Sequence, residues 1–165
     1  MTKHKPKIII VGAGLSGLTL ALSLAQSNFD IVVLEQASQL SEVGAGIQIS
    51  ANGARVLHLL GLESELAKVA FRPEQGEMRH WKTGETLISR PLGKTSVERF
   101  GFPYYHMHRY DFHRLLETAT RAAAPNAIRL QARVDTIKQN DRGVSAVLTS
   151  GDVIEGDVLI GCDGI

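Results

Sequence analysis

The apolar run Ile8-Ile9-Ile10-Val11 breaks directly into Gly12-Ala13-Gly14-Leu15-Ser16-Gly17, and a second run, Ile31-Val32-Val33-Leu34, ends at the acid Glu35. Strand, glycine turn, helix, strand and acid, in that order, build the seat of a dinucleotide in a βαβ unit. The first glycine makes the tight turn, the second lets backbone approach a pyrophosphate, and the third lets the helix pack closely on the strand. The helix N-terminus offers free N–H groups and the positive end of its dipole to the phosphates. Glu35 can accept hydrogen bonds from an unmodified ribose diol and would repel a 2′-phosphate. Leu15, Leu18, Leu22 and Ala25 recur at helical spacing, and Leu20, Ala21 and Leu24 widen the apolar face, as expected of a helix buried against a sheet. Nicotinamide and flavin dinucleotides share the adenosine pyrophosphate half, so the motif leaves the two open.

The remaining chain bounds the answer. Its 165 residues are enough for one domain with a substantial core and few for a two-domain enzyme. The formal net charge is +1 with acids and bases interspersed, which carries no electrostatic footprint for nucleic acid. The cluster Lys3, His4, Lys5 and Lys7 reads as a solvated tail without the apolar stretch of a secretory signal, and no segment approaches a membrane span. The expectation is a cytoplasmic protein with no membrane partner. Cys162, the one cysteine, excludes an internal disulfide and a multi-cysteine metal site, and reads as a small buried hydrophobe. His106, His108 and His113 lack an evident fourth ligand, so they are expected on strand and helix surfaces or in flavin-adjacent polar roles, and no metal is expected.

After the opening unit, residues 41–50 read as a small-residue loop, followed by a helix with Val56, Leu57 and Leu60 as its stripe and Gly61 at its end. Leu62, Leu66 and Val69 begin a second short amphipathic stretch. Residues 76–88 read as a hairpin turning at Lys82-Thr83-Gly84-Glu85, with Trp81 and Leu87 among its larger side chains; residues 90–102 read as irregular connection. A strand at 104–108 precedes a helix carrying Phe112, Leu115, Leu116, Ala119 and Ala123, stopped by Pro125-Asn126. Alternation through Ile128, Leu130, Ala132 and Val134, with turns near 140–143 and 150–152, predicts an antiparallel meander over about 128–155. Val158-Leu159-Ile160 reads as a return to the parallel sheet, buried on both faces.

Four segments together resemble the single-component FAD-dependent aromatic hydroxylases, the salicylate hydroxylase-like branch in particular. They are the opening motif, Gly44-Ala45-Gly46-Ile47-Gln48 followed by Asn52-Gly53, Tyr104-Tyr105-His106-Met107-His108-Arg109 followed by Asp111 and Leu115-Leu116, and the terminal Gly-Asp-Val-Leu-Ile-Gly-Cys-Asp-Gly. The resemblance implies an α/β fold: a Rossmann-like FAD-binding domain with a β-hairpin and an antiparallel β-meander insertion. It implies FAD contacts at Gly12, Gly14 and Gly17 around the pyrophosphate, Glu35 on the ribose, and Gly44, Ala45, Gly46 and Gln48 along the cofactor. Arg109 would reach the phosphate and ribityl region, Val134 would offer a backbone contact to adenine, and Asp163, with Gly164, would support FAD binding and use of the nicotinamide donor.

The family also carries a later Gly-Asp motif, followed by small residues and a histidine, which this sequence does not contain. The resemblance therefore implies a truncated chain, with residues 1–165 the N-terminal part of an FAD-binding monooxygenase domain, inactive by itself, and the substrate-domain sheet starting within about 72–108. The implied reaction is hydroxylation of a small aromatic acid such as salicylate or a hydroxybenzoate, using FAD, NADH or NADPH, and oxygen; no catalytic residue is assigned within this chain. Two other readings share the opening motif: a non-catalytic dinucleotide-binding remnant, and an NAD-dependent dehydrogenase, which would continue with alternating strands and helices.

Overall fold

The computed structural model describes residues 5–40 and 44–164, and the chain divides into two units, Met1–Glu42 with His113–Ile165, and Val43–Phe112. Strand β1 (Lys7–Val11), helix α1 (Leu15–Gln26) and strand β2 (Asp30–Leu34) form the expected opening unit. β-Branched residues dominate both strands, where their stiff side chains pack well, whereas α1 is rich in leucine and alanine. The two strands pair in parallel, Ile8 opposite Ile31 through Val11 opposite Leu34.

The second unit begins with β3 (Gly46–Ile49), which corrects the expected loop: Gln48 pairs with His106 and Ile49 with Tyr105 across an antiparallel ladder. A four-residue strand that begins on a glycine is too short for alternation to register. Residues 41–43 of that expected loop lie outside the described residues. Helix α2 (Ala51–Leu59) ends in a Schellman motif, with the Gly61 N–H donating to the His58 carbonyl and the Leu62 N–H to that of Leu57. Its buried stripe is Ala51, Ala54, Leu57 and Leu60, while Val56, expected in the stripe, is exposed. Helix α3 (Glu63–Val69) buries Leu62 and Leu66 at its start and centre and leads into the short strand β4 (Ala70–Phe71).

Strands β5 (Gln75–Arg79) and β6 (Thr86–Pro91) make the expected hairpin, although its turn is longer than predicted, with the His80 N–H donating to the Glu85 carbonyl. Residues 93–100 form helix α4 (Gly93–Phe100) rather than irregular connection. Pro91, Gly93 and Gly101 read as breakers but bracket the helix, and Gly101 closes it by donating to the Val97 carbonyl. Strand β7 (Tyr105–His108) stands between β3 and β4. Helix α5 (Arg109–Ala123) follows without a break.

In the first unit, β8 (Ile128–Arg129) pairs in parallel with β2, so the start of the expected meander belongs to the parallel sheet instead. Gln131, at φ 54°, turns the chain out of the sheet where plain alternation had suggested one continuous strand. The meander itself comprises β9 (Val134–Asn140), β10 (Gly143–Leu148) and β11 (Val153–Gly156) in the order β11-β10-β9. Strand β12 (Val158–Gly161) returns to pair with β1, giving a parallel sheet of order β12-β1-β2-β8. As an edge strand it leaves Val158 exposed and Leu159 and Ile160 half-buried, not enclosed on both faces. Ile9, Leu34, Ala132, Ala146 and Leu148 form a core cluster against which Val11, Val32 and Val134 pack. Strand alternation turns Ile8, Ile10 and Val33 to the opposite face, the side on which α1 contacts β1 and β2. Each such buried side chain contributes about 1.5–3 kcal/mol relative to exposure.

Candidate functional site

In the first unit the turn between β1 and α1 is held from several sides. The Gly12 N–H donates to the Leu34 carbonyl at 2.8 Å, and the Cys162 N–H donates to the Val11 carbonyl at 2.7 Å. Gly12 sits at φ +101°, and a Cβ there would stand 2.5 Å from the Cys162 oxygen and 3.0 Å from Asp163 Cα. The terminal Gly-Cys-Asp segment thus lies directly against the turn, which brings Asp163 and Gly12 together. A Cβ on Gly17 would fall 2.0 Å from the Gly12 carbonyl oxygen. Gly14 differs: among the described residues nothing lies within 4 Å of its Cβ position, and its φ is an ordinary −71°.

Glu35 follows β2 with its backbone fixed on both sides, its N–H donating to the Arg129 carbonyl at 2.9 Å and its carbonyl accepting from Ala132 N–H at 2.8 Å. Its carboxylate accepts from the Ala13 N–H through Oε2 and from the Ala37 N–H through Oε1, both at 2.8 Å. Two carboxylate oxygens have about four acceptor positions, so these bonds leave capacity for ribose hydroxyls. Helix α1 begins at Gly14 with no side-chain cap and no acid in its first turn. Uncapped N–H groups and the dipole make that terminus suited to an anion. Val134 packs its side chain on the core cluster and pairs with Leu148 across the meander.

In the second unit, Gly44, Ala45, Gly46, Gln48 and Arg109 are gathered around the β3–β7 pairing. The Arg109 N–H donates to the Ala45 carbonyl at 3.2 Å. A Cβ on Gly44 would lie 3.1 Å from both Cβ and Cδ of Arg109, so the absence of a side chain at Gly44 lets the arginine stem lie along the strand entry. Gln48 accepts from the Tyr104 hydroxyl at 2.9 Å, and Tyr104 meets His106 edge-on with centroids 5.6 Å apart.

Two groups that sequence reasoning missed are buried. His113, expected on a surface or in a flavin-adjacent polar role, is 3% exposed, with Nε2 2.8 Å from the Ala13 carbonyl oxygen. Its spacing with buried Leu116 and Thr120 was the available signal, because i, i+3 and i+7 share one helix face. Tyr105 is fully buried, its oxygen receiving a hydrogen bond from Arg72 at 3.1 Å and lying 2.8 Å from His58 Nε2. Cys162 is half-buried rather than enclosed, and its thiol is pushed above the ordinary value by desolvation and by the neighbouring Asp163 charge. Among the described residues no group of three or more His, Cys, Asp or Glu side chains could hold a metal, and no helix is long and apolar enough to cross a membrane.

A strand-turn-helix seat, an acid at the end of the second strand, and an antiparallel meander stacked on the parallel sheet define a flavin-type dinucleotide domain. The chain belongs to the FAD binding domain family, whose model matches residues 5–165. It is 42% identical over 165 residues to 3-amino-4-hydroxybenzoate 2-monooxygenase of Streptomyces cremeus, covering 100% of this chain and 41% of that protein. It is 38% identical to 6-hydroxynicotinate 3-monooxygenase of Pseudomonas fluorescens, over 98% of this chain and 41% of that protein. Among solved structures, Klebsiella pneumoniae HpxO complexed with FAD and uric acid superposes with a TM-score of 0.82 at 27% identity, over 99% of this chain and 40% of that one. The chain spans about two fifths of the length of the curated relatives it matches.

Proposed function

We propose that this chain supplies the adenosine-pyrophosphate seat of an FAD-dependent monooxygenase that hydroxylates a small aromatic acid, such as salicylate or a hydroxybenzoate, with NADH or NADPH and oxygen. The observation that carries the reading is Gly14. Gly12 and Gly17 are demanded by neighbouring backbone, whereas nothing among the described residues occupies the space a side chain at Gly14 would take. A glycine that the fold does not require, at the mouth of an uncapped helix, fits close approach by a pyrophosphate.

Within this assignment Glu35 accepts from the ribose hydroxyls, Gly12, Gly14 and Gly17 border the pyrophosphate, and Val134 offers its backbone to adenine. Gly44, Ala45, Gly46, Gln48 and Arg109 contribute from the second unit, with Arg109 bringing a fixed positive charge to a phosphate oxygen. Asp163 borders the turn and supports use of the nicotinamide donor. When bound, FAD supplies the redox chemistry; these residues bind and orient it. The substrate-facing sheet begins within residues 72–108, where β5 and β6 stand. The names of the relatives support an aromatic, acid-bearing substrate: an aminohydroxybenzoate in one and a hydroxynicotinate in another.

The test is titration of the purified protein with FAD, followed by flavin fluorescence, with NADP⁺ as a 2′-phosphorylated control. Saturable FAD binding and no competition from the control are expected. A protein that fails to take up FAD overturns the reading. In a chain extended to the full length of its relatives, product chromatography after incubation with FAD, NADH or NADPH and each candidate acid then decides the substrate.

A further inference from the structure

We infer that His113 is a positioning residue for the glycine turn, holding the Ala13–Gly14 peptide in the orientation a pyrophosphate needs. Ala13 is 1% exposed and pinned at both ends: its N–H donates to Glu35 Oε2 at 2.8 Å, and its carbonyl accepts from His113 Nε2 at 2.8 Å. The two bonds fix the peptide groups on either side of the Ala13 Cα, and so both of its soft torsions. A neutral imidazole that donates from Nε2 must carry its proton there.

The peptide between Ala13 and Gly14 is trans, so its N–H points opposite to its C=O. Turning the Ala13 carbonyl into the protein toward His113 therefore turns the Gly14 N–H the other way. That N–H belongs to the glycine whose surroundings are open, at the start of α1. Without the imidazole donor the buried carbonyl loses its partner, and the peptide is free to rotate and carry the Gly14 N–H out of alignment. His113 comes from α5, 100 residues along the chain, so the turn is set partly by a helix that the glycine motif does not include. This role rests on the FAD reading above and extends it to a residue outside the motif.

Three proteins decide it: unsubstituted, His113→Leu and His113→Gln, each titrated with FAD and melted without it. His113→Leu fills the space without a donor and is expected to loosen FAD about ten-fold. His113→Gln can donate its amide N–H to the same carbonyl and is expected to restore affinity to within about three-fold. FAD affinity unchanged in folded His113→Leu, or lost equally in folded His113→Gln, overturns the inference. Nitrogen NMR of the unsubstituted imidazole gives an independent answer if His113→Leu does not fold. A neutral ring protonated at Nε2 supports the clamp, and one protonated at Nδ1 rules it out. Failure of the unsubstituted protein to bind FAD would instead sink the dinucleotide reading, and the imidazole spectrum would then decide the clamp.

Discussion

The backbone oxygen of Cys162 stands 2.5 Å from the point that a Cβ on Gly12 would occupy, so the exit of the edge strand and the glycine turn are fitted to each other too closely for any side chain. Gly17 is confined in the same way by the Gly12 carbonyl, and Gly14 is not. Gly12→Ala and Gly17→Ala are therefore expected to lower unfolding free energy by about 1–3 kcal/mol or more, the cost of overpacking. Gly14→Val should leave the urea midpoint nearly unchanged while weakening FAD. A Gly14 variant that unfolds as readily as the Gly17 variant would assign the second glycine to the fold.

Glu35→Ala removes two charge-assisted bonds to backbone N–H groups, at Ala13 and Ala37, together with the proposed ribose acceptor. Each such bond is worth about 1.5–3 kcal/mol, so both stability and FAD affinity should fall, the latter by roughly one to two decades. Parallel denaturation and fluorescence titrations separate the two losses. Glu35→Gln keeps one acceptor oxygen and should lie between.

Arg109→Ala should loosen FAD more than Arg114→Ala, since only the former removes the charge set beside Gly44. Gly44→Ala would press a methyl group 3.1 Å from two carbons of the Arg109 stem. If Gly44 acts by making room for that arginine, the double variant loses no more affinity than Arg109→Ala alone. Additive losses in the cycle would give the two residues separate roles.

Tyr105→Phe tests the buried network of the second unit. Arg72 donates to the Tyr105 oxygen, the hydroxyl shares a second hydrogen bond with His58 Nε2, and Nδ1 of that ring lies 3.8 Å from Glu63. Deleting the hydroxyl removes the partner of a half-buried ring nitrogen and of an exposed arginine, at an expected cost of about 0.5–1.5 kcal/mol. Urea denaturation measures it, and a change below about 0.5 kcal/mol would show that water replaces the hydroxyl.

Desolvation first, and the Asp163 carboxylate second, raise the Cys162 thiol above its ordinary value. Both effects disfavour the thiolate, so the alkylation rate should reach half its plateau at higher pH than for a free thiol. Asp163→Asn removes one of the two causes and should shift that profile toward lower pH. An unchanged profile would leave burial as the whole cause.

The parts of the fold that announce themselves in the sequence are those in which one physical demand dominates several consecutive residues. Runs of β-branched side chains gave β1 and β2 to within a residue, and the leucine spacing gave α1. The helix over 93–100 was hidden because its bounding Pro91, Gly93 and Gly101 are the residues that also signal a loop; only the intervening hydrogen bonds distinguish the cases. Ile128-Arg129 was drawn into the meander because alternation states that a strand exists and not which partner it will take. The partner of His113 was not legible for a different reason: its role lies in a contact with Ala13, and no local pattern encodes a pairing at that separation. The Schellman end of α2, by contrast, was legible at Gly61, because helix termination is a local matter.

Pairing of β12 with β1 also has a bearing on how the protein is made. Ile8 finds Val158 only after about 150 further residues have left the ribosome, which at typical elongation rates takes roughly 8–30 s. During that interval the nascent chain can pair β1 with β2 but lacks the Cys162 amide that donates to the Val11 carbonyl. The open edge of β1 meanwhile presents unsatisfied backbone groups to any strand in the vicinity. Premature release of the polypeptide before Val158–Gly161 would yield a product with this edge bare and prone to associate through it, so four late residues decide whether the earliest strand is shielded.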